Sequence, residues 1–172
     1  MHFFILFSLY LLTLHIVFGN DKKVKSNTNT MDYSFFQKLH SGWAYLAILF
    51  LFLASLNATI GYLTKKEFFS KDRKLALIAL IAIHIQLVIG VIIYFVSPLG
   101  KASLGEMKDA SLRLTSLEHP LLNLIAIVLI TIGWSRHKKA ENSEAKFKAI
   151  SFFYVIGMVL ILARIPWASW LN

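Results

Sequence analysis

Residues 75–98 read LALIALIAIHIQLVIGVIIYFVSP, a stretch without one Lys, Arg, Asp or Glu. A hydrocarbon core about 30 Å thick is crossed by about 20 apolar residues rising about 1.5 Å each, so this stretch is long enough to span it as a helix. Ser97-Pro98-Leu99-Gly100 closes it with a stop signal. Working outward, residues 43–64 and 120–135 are likewise free of charged side chains, and residues 149–171 carry only Arg164. The pattern predicts an all-α, transmembrane four-helix bundle over residues 35–172, with helices at about 37–63, 74–97, 119–135 and 149–170. Composition agrees: 57% apolar, 16% charged and a mean hydropathy of +0.63 lie outside the range of an ordinary soluble domain.

The formal net charge is +9, but the basic residues gather beside helix ends. Lys65, Lys66, Lys71, Arg73 and Lys74 fill the first connection, and Arg136, Lys138, Lys139, Lys146 and Lys148 the third. The middle connection has only Lys101, Lys108 and Arg113, diluted by Glu106 and Asp109. Cytoplasmic loops carry the Lys and Arg excess, which puts the first and third connections inside and both ends of the four-helix unit outside. The basicity is therefore a topology signal and not a nucleic-acid footprint. The absence of cysteine excludes disulfides, iron–sulfur clusters, thiolate zinc sites and covalent haem attachment. The environment implied is a lipid bilayer. Tryptophans 43, 167 and 170 are expected near the outer interface and Trp134 near the inner one.

Residues 1–19 form a separate apolar segment, followed by a polar linker over 20–34 rich in Lys, Asn, Ser and Thr. Val17-Phe18-Gly19 has the small or compact residues that a signal peptidase reads, although only His2 precedes the apolar run where Lys or Arg is usual. A cleaved signal peptide, a retained fifth helix and an upstream extension with initiation at Met31 all fit. The signal peptide is preferred because an N-out core needs residues 20–40 exported.

Two histidines head helical faces of small or polar residues. From His40 the face runs Ala44, Ala47, Leu51, Ala54, Ala58, Gly61; from His119 it runs Asn123, Ala126, Ile130, Gly133, His137. Membrane-level imidazoles are costly unless they face the bundle interior, and small residues below them leave room for a neighbouring helix or a flat cofactor. The first and third helices run the same way, so His40 and His119 share one depth near the outer surface. Two imidazoles at matched depth can take a haem iron between them. The alternative is a pair of interfacial imidazoles bonded to backbone or to Glu118. Arg164 arrives at the same level, to meet a haem propionate or to snorkel to the headgroups, and Arg113 could serve a second propionate. His84 lies about 20 Å below the outer end of its helix by helix rise, too deep to share that iron. It could bond the cofactor's edge, a quinone or a proton path, or sit in the core on a carbonyl. Gln86, Gly90, Tyr94 and Ser97 form a second stripe on the opposite side of that helix, where Gly90 is expected to serve helix packing. His137, among Arg136, Lys138 and Lys139, is expected to be solvated.

HIQLVIGVIIYFVSP at 84–98, Glu118-His119-Pro120, Thr131-Ile132-Gly133-Trp134 and Leu39-His40-Ser41-Gly42 together resemble a family of small bacterial membrane proteins labelled cytochrome b. More distantly, Gln86-Leu87-x-x-Gly90 followed by a helix opening at His119 is similar to one four-helix half of haem A synthase. That resemblance implies one haem b held by histidines of two helices, at the positions of His40 and His119.

The leading expectation is a haem b-binding, cytochrome b-like protein of the bacterial inner (cytoplasmic) membrane, passing single electrons near the outer face. It would act as an electron carrier or subunit and not as a stand-alone enzyme. Its redox partner would be a protein or a quinone, and a homo-oligomer or larger complex stays open. Two other classes stand beside it: a cofactor-free membrane scaffold or assembly subunit, and an enzyme resembling haem A synthase.

Overall fold

The computed structural model describes residues 29–170, so the apolar segment at 1–19, with its signal-peptide reading, lies outside them. Among the described residues the chain is all helix and turn, with no strand. The unit Met31–Asn172 contains four long helices. They are α1 (Asn29–Leu63), α2 (Ser70–Val96), α3 (Ala110–Lys139) and α4 (Ser143–Ala163), and a short α5 (Trp167–Trp170) follows. The four long ones are each apolar and long enough to cross a membrane. This is a multi-pass helical membrane protein.

The helices outrun the apolar stretches that announce them. α1 is already helical at Asn29, the first described residue, inside the polar linker. α4 begins at Ser143, where the Asn142 side chain accepts from Ala145 N–H at 2.8 Å. It stops at Ala163 because Pro166 cannot continue the ladder, and Trp167–Trp170 forms a turn of its own.

α3 does not start at His119. Asp109 caps it by accepting from Ser111 and Leu112 N–H; these bonds, that from Leu112 first, hold the carboxyl below its ordinary range. The helix then passes through a π turn, Leu114–Glu118, in which His119 N–H reaches back to Leu114 C=O. Pro120 explains the widening. Its ring lacks the N–H that would bond Ser116 and crowds that carbonyl, and a wider turn makes room.

Side-chain contacts join the helices in pairs, each long helix running antiparallel to the next in sequence. Trp43 Nε1–H of α1 donates to Ala82 C=O of α2 at 2.9 Å. Thr59 of α1 bonds Ser151 of α4 at 2.8 Å, and Tyr45 stacks on Trp170 at 4.5 Å. Tyr154 of α4, fully buried, donates to Ala76 C=O of α2 at 3.0 Å. The stripes of small residues are packing faces. A Cβ at Gly133 would lie 2.6 Å from Phe153 Cβ, one at Gly157 would lie 2.5 Å from Ile130 Cγ1, and one at Gly61 would lie 2.5 Å from the Phe147 ring. Each of these glycines therefore meets α4 or a helix that α4 touches. The room under each imidazole is taken by a helix. Leu49, Phe52, Leu56 and Ile60 of α1 stay exposed, a row suited to acyl chains.

Two sequence expectations are corrected at the end bearing the first and third connections. His137 is buried, not solvated: its Nδ1 donates to Trp134 C=O at 2.6 Å, and its ring packs on Trp134 and Phe68. Phe68 is held there by its N–H, which donates to Ser143 Oγ at 3.0 Å. Trp134 is buried too and joins the core in place of an interfacial belt. The first connection is locked by Asp72, buried at the start of α2, which accepts from Lys66 Nζ, Asn57 Nδ2 and Phe69 N–H at 2.9–3.0 Å.

Candidate functional site

His40 on α1 and His119 on α3 meet across the bundle at the opposite end. Their ring centroids are 6.2 Å apart and their planes cross at 81°. The chain passes His119 just after the π turn, and α1 carries His40 three residues before Trp43, whose indole bond to Ala82 fixes α1 against α2.

The surroundings of His119 determine its proton. Nδ1 lies 2.7 Å from the main-chain oxygen of Arg164. A carbonyl oxygen only accepts, so Nδ1 carries the hydrogen and Nε2 keeps its lone pair. Asn123, one turn on, donates from Nδ2 to His119 C=O at 2.6 Å and packs 3.1 Å from Nδ1, whose hydrogen is given to Arg164. Arg164 is thus brought to His119 by its backbone. Its side chain turns to Glu118, Nε to Oε2 at 3.3 Å, and the other carboxylate oxygen takes Arg113 Nε at 2.9 Å. Arg113 also donates to Met107 C=O at 2.9 Å. Two half-exposed guanidinium groups share one carboxylate beside the ring.

On the other side, α2 supports His40. The Gln86 amide nitrogen lies 3.0 Å from His40 C=O and 3.2 Å from its Nδ1. A Cβ at Gly90 would sit 3.2 Å from His40 Cε1. Gly90 serves close approach, as its stripe implied, but what approaches is the imidazole. Gln86 and Glu118 enter the site as partners of its members, not as candidate ligands. The spacing of 86 and 90 on one face was the signal for the first, and adjacency to His119 for the second.

His84 stands apart from this group. Nδ1 donates to Leu80 C=O at 2.7 Å, and Nε2 lies 3.4 Å from Thr131 Oγ1. Thr131 is more than three turns past His119, about 18 Å along α3 at about 1.5 Å per residue. The structure therefore brings together His40, His119, Arg113 and Arg164, and leaves His84 deep between α2 and α3.

Two imidazoles ligating one iron from opposite sides, with Fe–N bonds of about 2 Å, hold their ring centroids about 6 Å apart. The observed 6.2 Å fits that requirement. Among the described residues no third His, Asp or Glu joins the pair to make a metal-binding group. A metal held by this pair would have to bring its remaining donors with it, as a porphyrin does. The same separation and crossing angle also satisfy edge-to-face packing of two rings.

No family model, no curated protein and no solved structure matches this chain.

Proposed function

We propose that the chain is a membrane-embedded haem b protein that carries single electrons, with His40 and His119 as the two axial ligands. The observation that carries the reading is the 6.2 Å separation of two rings brought from diagonal helices, one of them already in the ligating tautomer through Arg164 C=O. Haem bound there would supply a one-electron couple, and with both imidazoles engaged it would suit electron transfer more than oxygen chemistry. Around it the chain's own residues divide the work. Arg164 C=O holds the His119 proton, Gly90 admits the His40 ring, and Arg113 and Arg164 offer charge to the propionates in competition with Glu118. The electron partner is a redox protein or a quinone. The resemblance to cytochrome b-type proteins and to one half of haem A synthase points to the same two histidines.

The test is the absorption spectrum of the purified, detergent-solubilised protein. A sharp α-band on reduction is the expected result. A protein that shows none after incubation with haem b overturns the reading and leaves edge-to-face packing of two structural histidines, as in a cofactor-free scaffold.

The membrane assigned is the bacterial cytoplasmic membrane, with the first and third connections inside. Ten of the eighteen Lys and Arg residues lie at those connections. Reporter fusions at Lys65 and Glu141 are expected to behave as cytoplasmic, and one at Gly105 as external. The reverse pattern would place the histidine pair at the inner face.

A further inference from the structure

Gln86 makes more contacts with His40 than packing needs. Its amide nitrogen donates to the His40 main-chain oxygen at 3.0 Å and lies 3.2 Å from Nδ1 and 3.4 Å from Nε2 of the ring. One turn along α2, Gly90 gives the same ring a floor, because a Cβ there would reach to 3.2 Å of Cε1 and 3.7 Å of Nδ1. The amide oxygen, Oε1, is buried and has no hydrogen-bond partner. Folded proteins rarely leave a buried acceptor in that state without a reason.

The reason lies in the tautomer. A neutral imidazole carries one N–H. With the amide nitrogen nearest Nδ1, that ring nitrogen accepts and the hydrogen sits on Nε2, a form that cannot ligate through Nε2. Once Nε2 is given to a metal, the hydrogen belongs on Nδ1 and needs an acceptor, the second-shell partner that ligating histidines almost always have. His119 already has one in Arg164 C=O. For His40 the acceptor is the idle Oε1 of the same amide that now donates to it. A half-turn of the amide exchanges nitrogen for oxygen; the His40 main-chain oxygen gives up its bond from the amide and keeps its place in the α1 ladder, and the amide shifts toward Nδ1 so that the two oxygens do not face each other.

We propose that Gln86 is the positioning residue for His40, its amide turning over as Nε2 takes the haem iron so that Oε1 accepts the Nδ1 hydrogen. The proposal rests on the haem reading above. It makes the two ligands unequal: His119 is set in advance, and His40 is set on binding.

The experiment uses the full chain in detergent, as wild type, Gln86→Leu and Gln86→Glu, with haem b as the probe. Gln86→Leu is expected to bind haem about tenfold more weakly, the lower end of second-shell losses. It should also titrate at a higher reduction potential, because an Nδ1–H without an acceptor leaves a weaker ligand for ferric iron. Gln86→Glu restores a strong acceptor, so affinity returns and the potential falls below wild type. In the haem-free protein, ¹⁵N shifts of His40 should report the Nε2–H form in wild type and a mixture in Gln86→Leu. Wild-type affinity and potential in Gln86→Leu, or an unchanged His40 tautomer, overturns the proposal. If Gln86→Leu fails to fold, the potential of Gln86→Glu decides alone, and a value at or above wild type overturns it. Wild type taking up no haem removes the haem reading itself, a failure visible before either variant is compared.

Discussion

Alanine at His119 is expected to abolish the low-spin b-type spectrum, leaving a high-spin five-coordinate haem or none. His40→Ala should do the same, because on the haem reading each substitution removes one of two ligating nitrogens, and the other imidazoles among the described residues, His84 and His137, are bonded elsewhere. His84→Ala is the internal control. Its ring is engaged by Leu80 and lies beside Thr131, about 18 Å down α3 by a rise of about 1.5 Å per residue, so the iron should stay low-spin. Arg164→Leu separates backbone from side chain. The carbonyl that fixes His119 survives the substitution, while the charge shared with Glu118 is lost. The expected outcome is an unchanged spin state with weaker haem retention. A low-spin signal lost in His84→Ala but kept in His40→Ala would sink the ligand pair and require it to be redrawn through α2.

The second large effect concerns how α3 and α4 touch. Gly133→Val should destabilise the bundle by about 3 kcal/mol, at the upper end of ordinary overpacking costs. An added Cβ would meet Phe153 Cβ at 2.6 Å and Ala149 C=O at 3.2 Å. Phe153 Cβ is bonded to its backbone and cannot swing away, so the helices themselves must part. Gly42→Ala gives the contrast. A Cβ there meets nothing within 4 Å, and alanine in an exposed helix gains up to about 1 kcal/mol over glycine. Denaturant unfolding of both variants in the same detergent measures the difference. Equal stability for the two would show that α3 and α4 do not depend on that contact.

Sequence carried the count of helices, because a run of residues without charge has few physical fates. It carried the end marked by Pro98 for the same kind of reason, whereas the fourth helix, expected to run to about 170, stops at Ala163 ahead of Pro166. It could not carry the turns of α1 that lie within the polar linker, since hydropathy marks where lipid ends and not where hydrogen bonding ends. Nor could it show the π turn before His119, which is a response to Pro120 inside a helix that was expected to begin there. Helix faces were harder still. Apolar side chains all round give no preferred direction, so Ala126, Ile130 and Gly133 looked equally suited to a cofactor or a neighbour, and α4 takes that place. The pairing of His40 with His119 was legible from register alone. Gln86 as its neighbour, and His137 as a buried ring, depend on contacts between helices far apart in the chain, Phe68 over His137 among them.

Synthesis runs from the N-terminus, so α4 leaves the ribosome after α1, α2 and α3. It is also the helix that Gly61, Gly133 and Tyr154 use to join the other three, and the residue that ends it, Arg164, supplies the oxygen holding His119. A chain truncated before that point has both histidines and neither their enclosure nor the fixed tautomer of one. Competence of the pair therefore waits on α4: a chain whose fourth long helix has yet to insert has not assembled the surroundings of His119.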